Sequence, residues 1–321
     1  MKIILLFLFP LALALIGCAT NGDASPNPVQ ADPAVSIPDP EPELPPELET
    51  APTPAPPTRP QRPRQIETKT PTSSEIQQLE RRLVQARIDA SNKPGDPLRH
   101  YRLGNAFFDL GRYDEAGAAY EHAIALDPQN AAARVNRGLC LRRLGRSEDA
   151  IREYTFALAI QPDDATLLQN LAIALEGEGK TPQAVEVLAR LVEVRPDNVS
   201  VLARLAHGLF RLGRYREAGY YFQEIIRLDP GLASDYYNLG LCYFHLGDYD
   251  RTLMTWLTAL AHDANNESVN KGLAVLYWKR AEYKQAWDLV AACHAKGIIL
   301  DEKFLANLRE DSRAAAQQNG G

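Results

Sequence analysis

The fold is decided by the stretch PLRHYRLGNAFFDLGRYDEAGAAYEHAIALDPQN, residues 97–130, whose pattern returns every 34 residues as far as residue 300. The units begin at residues 97, 131, 165, 199, 233 and 267, and none contains an insertion or a deletion. A fixed period of this length is typical of helical repeat proteins. The sequence therefore predicts an all-α array of six similar units.

Three kinds of residue recur in register and predict a helix-turn-helix hairpin in each unit. A small residue at the eighth place lets two helices approach closely. Glycine after the first helix adopts the left-handed conformation that ends a helix, and proline stops the second helix because it lacks an N–H. The small residues are Gly104, Gly138, Ala172, Ala206, Gly240 and Ala274, the turn glycines Gly111, Gly145, Gly179, Gly213 and Gly247, and the prolines Pro128, Pro162, Pro196 and Pro230.

On these residues the units resemble tetratricopeptide repeats. The first unit is similar to the consensus at Leu103-Gly104, Phe107, Gly111-Arg112-Tyr113, Ala116, Tyr120, Ala123 and Asp127-Pro128. The resemblance implies an all-α, right-handed superhelical solenoid with repeats at 97–130, 131–164, 165–198, 199–232, 233–266 and 267–300. The second unit departs from the pattern, because Arg134 and Arg137 stand where large apolar residues are expected.

Both ends of the array are expected to carry caps, which repeat arrays need for solubility. Residues 72–96 are predicted to form an N-terminal capping helix, because Thr72 and Glu75 have the spacing of a capping box. Phe304, Leu305 and Leu308 predict a C-terminal capping helix at 301–310. The polar residues 311–321 are expected to be disordered.

The first residues carry a separate signal. Lys2 precedes an apolar run from Ile3 to Ile16, which is too short to span a membrane and is typical of a signal peptide, here residues 1–17. The run ends in Leu15-Ile16-Gly17-Cys18 and resembles the lipobox of bacterial lipoproteins, which implies cleavage before Cys18 and lipidation of that residue. The alternative is an ordinary signal peptide with an incidental cysteine. Ala19 in place of aspartate favours sorting to the outer membrane, facing the periplasm.

Residues 18–71 are rich in proline, alanine, threonine and acidic side chains, with few large apolar groups. Such a composition cannot bury a core and predicts a disordered, semi-rigid tether behind the lipid anchor. The net charge of −6 argues against a general nucleic-acid binder.

No motif of an active site is present. The histidines lack the spacing of metal ligands, and hairpin turns account for the glycines that a phosphate-binding loop would need. We therefore expect no enzyme activity, no cofactor and no metal, and a function that resides in a surface.

The resemblance implies that the first helices line a concave groove through the second, fifth, sixth, ninth, twelfth and thirteenth places of each unit. The sixth place then holds a ladder of amides and arginines, and amides offer both a donor and an acceptor to a peptide backbone. Seven cations at these places face two anions, which favours an acidic or C-terminal peptide segment as ligand. The cations are Arg102, Arg142, Arg143, Arg204, Arg211, Lys271 and Lys279, and the anions are Asp109 and Glu176.

The candidate groove residues are therefore Tyr101, Arg102, Asn105, Asn136, Arg143, Asn170, Arg204, His207, Arg211, Tyr237, Asn238 and Lys271. For the amides, internal hydrogen bonds within the array are the alternative.

The expected function is that of a scaffold at the outer membrane that recruits a protein partner in the periplasm. The lipobox together with six such repeats is similar to the pilotin-type lipoproteins of type IV pilus systems, which implies a role in secretin assembly as one alternative. The other alternative is a purely structural oligomer built through the ends of the array or its convex face.

Overall fold

The computed structural model describes residues 72–319, and in that part of the chain every helix or strand element is an α-helix. The helices are α1 Ser73–Asn92, α2 Pro97–Asp109, α3 Tyr113–Leu126, α4 Ala131–Arg143, α5 Ser147–Ile160, α6 Ala165–Gly177, α7 Thr181–Val194, α8 Val199–Arg211, α9 Tyr215–Leu228, α10 Ala233–His245, α11 Tyr249–His262, α12 Glu267–Lys279, α13 Tyr283–Ala295 and α14 Glu302–Asn319. The predicted signal peptide 1–17, Cys18 and the tether 18–71 lie outside the described residues. Among residues 72–319, no helix has the length and apolar character that crossing a membrane requires.

Each 34-residue unit forms one antiparallel hairpin, so that α2 to α13 are six helix pairs packed in chain order. Side-chain caps begin five of the six first helices, as where Asn198 Oδ1 accepts from the N–H of Val201 at 3.2 Å. The turn glycines all have positive φ, for example 72° at Gly111. In the sixth unit Ala281 takes this conformation with a φ of 58°, which strains an L-residue. The all-α solenoid predicted from the repeat is confirmed.

The residue at the eighth place is glycine where tyrosine or tryptophan faces it from the second helix, and alanine where leucine, phenylalanine or valine does. A Cβ at Gly104 would lie 2.5 Å from Cε1 of Tyr120, and one at Gly138 would lie 2.5 Å from Cε1 of Tyr154. Where the facing residue has no hydroxyl or indole, as with Leu188, alanine fits and is buried. The facing pairs are Gly104–Tyr120, Gly138–Tyr154, Ala172–Leu188, Ala206–Phe222, Gly240–Trp256 and Ala274–Val290.

The two arginines that depart from the repeat pattern share one carboxylate. Glu153 on α5 is only 8% exposed, and its Oε1 lies 2.5 Å from Nη1 of Arg137 while its Oε2 lies 3.4 Å from Nη1 of Arg134. Arg134 also donates to the carbonyl of Pro128. Paired and hydrogen-bonded in this way, the charges replace an apolar contact without leaving an unpaired buried ion.

The N-terminal helix α1 begins with the predicted capping box. Thr72 N–H donates to Glu75 Oε2 at 2.6 Å, and Glu75 N–H donates to Thr72 Oγ1 at 3.3 Å. Leu83 is buried in one cluster with Phe107, while Arg82 reaches Asp109 on α2 at 3.4 Å. α1 thus covers the first face of the array.

The prediction of a short C-terminal cap at 301–310, followed by a disordered tail at 311–321, is wrong as far as residue 319, since α14 continues to Asn319. Residues 320 and 321 lie outside the described residues. Asp311 Oδ2 accepts from Trp278 Nε1 at 2.8 Å, and Ser312 Oγ accepts from Trp287 Nε1 at 3.4 Å. The residues that follow are mostly alanine and glutamine, which propagate a helix well once its first turns are docked.

Candidate functional site

The groove face is defined here as the second, fifth, sixth, ninth, twelfth and thirteenth places of the six first helices. Side-chain contacts join successive first helices at three points of this face. Asn136 on α4 bonds to Asn105 on α2, and Arg204 on α8 bonds to Glu176 on α6. The ring of His245 on α10 packs edge-on against the ring of Phe210 on α8, with 5.3 Å between the ring centroids.

Three predicted groove residues of the first two units form a closed hydrogen-bond network. The hydroxyl of Tyr120 donates to Asn105 Oδ1 at 2.7 Å. Asn136 Nδ2 donates to the same oxygen at 3.1 Å and to the Tyr101 hydroxyl at 3.3 Å, with Tyr120 OH at 3.5 Å. The amide N–H groups of Asn136 are therefore engaged within the array, which is the alternative that the sequence left open for this rung of the ladder.

The later amides of the ladder are in a different state. Asn170 on α6 and Asn238 on α10 are half-buried, and neither side chain has a hydrogen-bond partner within residues 72–319. Each amide retains its donors and its acceptor for a ligand. The part of the ladder that is open to a peptide backbone thus lies in the third and fifth units.

Two of the seven predicted cations are neutralised by neighbours. Arg204 forms a forked pair with Glu176, with Nη2 to Oε2 at 2.7 Å and Nε to both oxygens at 3.2 Å. Lys271 is paired with Glu267 one helical turn earlier. The pairing of Arg204 uses one of the two groove anions, and Arg82 of α1 pairs with the other, Asp109. Sequence reasoning counted these charges but did not pair them.

Four groove arginines are not paired with a carboxylate among residues 72–319. Arg102, Arg143 and Arg211 are exposed and Arg142 is half-buried, and none has an ion pair or hydrogen bond in the part of the chain that the structure describes. Both carboxylates of the groove face are already paired with other residues. The positive field of these four arginines is therefore not cancelled on this face. A fifth cation, Lys279, lies over the ring of Trp278 at 4.5 Å from the centroid.

Aromatic and imidazole rings line the groove face in the fourth and fifth units. The half-buried ring of Tyr237 stacks on Trp256 at 5.7 Å, and burial raises the pKa of its hydroxyl. His245 stacks on Tyr215 at 4.4 Å. His207 contacts Phe222 edge-on at 5.2 Å. The side chains of His207 and His245 are exposed on one side. The protein that surrounds the rest of each ring lowers the pKa of the imidazole by desolvation.

One candidate on a second helix, behind the groove face, was missed by sequence reasoning. The side chain of Tyr154 is fully buried, and its hydroxyl has no hydrogen-bond partner among residues 72–319. Its counterpart Tyr120 is satisfied by Asn105, whereas the second unit has Leu139 at that place. Comparing the units place by place would have revealed the missing acceptor. Across the same residues, no group of three or more His, Cys, Asp or Glu side chains is arranged to hold a metal ion.

Comparison with known proteins agrees with this geometry. Two family models described as "Tetratricopeptide repeat" match residues 101–165 and 141–207. Residues 101–207 are therefore similar to tetratricopeptide repeats. No curated protein matches the chain.

Solved structures are similar to this chain over a longer stretch than the matched residues. YrrB, described as a TPR protein with an unusual peptide-binding site, is 20% identical with a TM-score of 0.50, over 58% of this chain and 95% of its own. Naa15/Naa10 bound to HypK-THB is 18% identical with a TM-score of 0.62, over 75% of this chain and 37% of its own. MamA from Desulfovibrio magneticus RS-1 is 21% identical with a TM-score of 0.46, over 52% of this chain and 94% of its own. At these identities the likeness concerns the fold alone.

Proposed function

We propose that the chain is a lipid-anchored scaffold of the bacterial envelope that recruits a protein partner by binding an extended acidic segment on its groove face. The anchor rests on the sequence Leu15-Ile16-Gly17-Cys18 after an apolar run, and the outer membrane is the proposed destination because Ala19 follows the cysteine. Holding the array at a membrane raises the local concentration of its partner there.

The observation that carries the binding proposal is the set of unpaired arginines Arg102, Arg142, Arg143 and Arg211. They belong to the first, second and fourth units, so their charge is spread along the face in the way that an extended ligand requires. Arginine binds carboxylates with two parallel hydrogen bonds. The free amides of Asn170 and Asn238 add contacts to the peptide backbone that do not depend on ligand sequence.

A structural oligomer is the second candidate, and one observation favours it. Tyr220 on α9 is 42% exposed, and Met254 and Leu257 on α11 are 68% and 45% exposed. Tyr220 and Met254 occupy the same place of adjacent second helices, so they form an apolar strip off the groove face. This candidate predicts a size that depends on concentration, and no peptide affinity.

The test is crosslinking and pull-down from envelope membranes with the full chain as bait. A variant with Arg142→Glu, Arg143→Glu and Arg211→Glu reverses the groove charge, while Arg81→Glu, Arg195→Glu and Lys284→Glu make the same change in net charge at exposed positions off the groove face. We expect the groove variant alone to lose the partner, and capture of the native complex to fall as salt rises. Recovery of a secretin would favour the pilotin role, and an equal yield from all three baits contradicts groove binding.

The anchor is tested separately with Cys18→Ser. We expect this variant to leave the membrane fraction while the native chain sediments with the outer membrane in a density gradient. A native chain that is already soluble would remove the anchor from the proposal.

A further inference from the structure

The hydroxyl of Tyr154 is an unsatisfied donor at a defined point of the array. The ring lies across Gly138 of α4, just as the ring of Tyr120 lies across Gly104 of α2. In the first unit this placement brings the hydroxyl to the groove-face residues Asn105 and Asn136. The same placement in the second unit aims the Tyr154 hydroxyl at the groove face between α4 and α6. A buried hydroxyl without a partner is costly, which makes a ligand acceptor at this point favourable.

The register of the repeat places Asn170 near this hydroxyl, although no hydrogen bond joins the two side chains. Asn170 occupies the sixth place of the third unit, as Asn136 does in the second, and Asn136 Nδ2 lies 3.5 Å from the hydroxyl of Tyr120. The amide of Asn170 has no partner of its own within residues 72–319. The second and third units thus each hold a donor without a partner, and the register indicates that the two are neighbours.

Arg142 completes the cluster. It stands at the twelfth place of the second unit, and the corresponding pair one unit further on, Glu176 and Arg204, is in contact at 2.7 Å. The register thus sets Arg142 beside Asn170. Its charge also acts on the Tyr154 hydroxyl, whose pKa burial raises to about 12 while Arg142 works in the opposite direction.

We propose that the hydroxyl of Tyr154, the amide of Asn170 and the guanidinium of Arg142 form the subsite of the groove that binds a carboxylate of the ligand. The cluster offers three kinds of donor, and both acidic side chains of the groove face are already paired. An oxyanion satisfies such a set better than a neutral amide, because hydrogen bonds to ionised groups are the stronger ones. This inference rests on the proposed peptide-binding function and locates its anion contact.

Leu139 controls access to the subsite. It occupies the place where the first unit has Asn105, it is half-buried, and it packs in one cluster with Tyr154. The hydroxyl is closed to solvent. A ligand oxygen can reach it only if the Leu139 side chain turns to another rotamer, and the proposal includes that movement. Leu139→Asn would instead supply an internal acceptor, as Asn105 does for Tyr120.

The experiment measures binding of fluorescent ten-residue peptides of mixed sequence to the full chain in detergent by fluorescence anisotropy. One set has a free C-terminal carboxylate, a second is amidated, and a third is amidated with every Asp and Glu replaced by its amide. Tyr154→Phe, Asn170→Ala and Leu139→Asn are compared with Tyr120→Phe, which removes the satisfied hydroxyl of the first unit.

We expect Tyr154→Phe and Leu139→Asn each to weaken binding of the best carboxylate peptide by about tenfold, the factor that corresponds to one hydrogen bond to a charged group. Both variants should be at least as stable as the native chain, because Tyr154→Phe removes the unsatisfied buried donor and Leu139→Asn gives it an acceptor. Tyr120→Phe should lower stability without changing affinity. The amidated sets show whether the carboxylate is terminal or belongs to a side chain.

If the native chain binds the carboxylate peptides and the Tyr154→Phe and Leu139→Asn variants bind them equally well, the subsite is wrong while groove binding stands. If no peptide of any set binds, the proposed function and the subsite fail together. Equal binding of the third set by the native chain would also overturn the subsite, because no carboxylate is then required.

Discussion

The indole of Trp256 occupies the space that a side chain at Gly240 would need. A Cβ built at Gly240 would lie 2.2 Å from the indole Nε1, which donates to the carbonyl of Tyr237 at 3.1 Å. The same ring would lie 2.9 Å from a Cβ at Gly272 on α12. Two glycines and one tryptophan thus fix the approach of three helices.

Gly240→Ala is therefore expected to destabilise the array by about 1–3 kcal/mol, the usual cost of overpacking a tight core. Gly117→Ala is the matched control, because Gly117 is also inside a helix but its Cβ would meet Cys140 at an ordinary 4.0 Å. The control should stabilise the chain by about 0.5–1 kcal/mol through helix propensity. Urea denaturation followed by circular dichroism measures both, and equal effects would contradict the packing argument.

Ala281→Gly is expected to stabilise the sixth hairpin. Ala281 has a φ of 58°, where an L-residue is strained by about 1–2 kcal/mol. The added flexibility of glycine in the unfolded chain offsets part of the gain. The reverse change in the preceding unit, Gly247→Ala, should be destabilising because φ is 77° there. A thermal melt that moves in the same direction for both variants would show that the backbone conformation is not the cause.

Asp311→Ala tests whether the middle of α14 is docked on the array. The change removes the acceptor of the Trp278 indole, and we expect a loss of about 1.5 kcal/mol because the acceptor is charged. Glu310→Ala, at an exposed neighbouring position, should have no comparable effect. Hydrogen exchange in α13 and α14 measures the local loss, and unchanged protection would mean that the bond contributes nothing.

Glu176→Gln is expected to strengthen the binding of acidic peptides. The substitution removes the negative charge that neutralises Arg204 and so adds a fifth free arginine to the groove face. Affinity should rise and its dependence on salt should become steeper. Glu148→Gln, which breaks the pair with Lys180 off the groove face, is the control and should leave peptide affinity unchanged.

Folding stability should decrease as the pH falls below the ordinary histidine pKa of about 6.5. Burial lowers the pKa values of His207 and His245 in the folded chain, so in this range the unfolded chain binds more protons. Their contribution is complete above the unfolded-state pKa and is lost as the pH falls through the lowered values. Burial raises the pKa of the Asp235 carboxyl group. Its contribution to folding stability therefore depends on pH with the opposite sign to that of the two histidines.

The double variant His207→Phe, His245→Phe keeps the ring contacts and removes the titration. Urea midpoints at pH 7 and pH 5 should therefore differ less for this variant than for the native chain. An equal difference for both proteins would assign the pH dependence to other groups.

The repeat register predicted the hairpins because local chemistry sets them. Positive φ at Gly111 and the capping box at Thr72 depend only on residues within a turn or two. The Gly–Tyr and Ala–Leu pairs at the eighth place were also within reach of the sequence, since the partner is always sixteen residues further along. A list of the small residues alone does not reveal the larger residue that faces each of them.

The state of the groove could not be predicted one place at a time. Arg204 and Glu176 are separated by 28 residues and meet only because successive first helices are adjacent. Asn136 is engaged and Asn170 is free because of what surrounds them in the preceding unit. Long side chains choose among several neighbours, so charge and amide counts overstate what is available to a ligand.

The C-terminal helix also limits how this protein can change in length. Trp278 and Trp287, which would face a seventh hairpin, are bonded instead to Asp311 and Ser312 of α14. A unit duplicated within the array would meet neighbours of its own kind on both sides. A unit appended after residue 300 would have to displace α14 and leave both indoles without their partners. Gene duplication can therefore lengthen such an array from within far more easily than from its end.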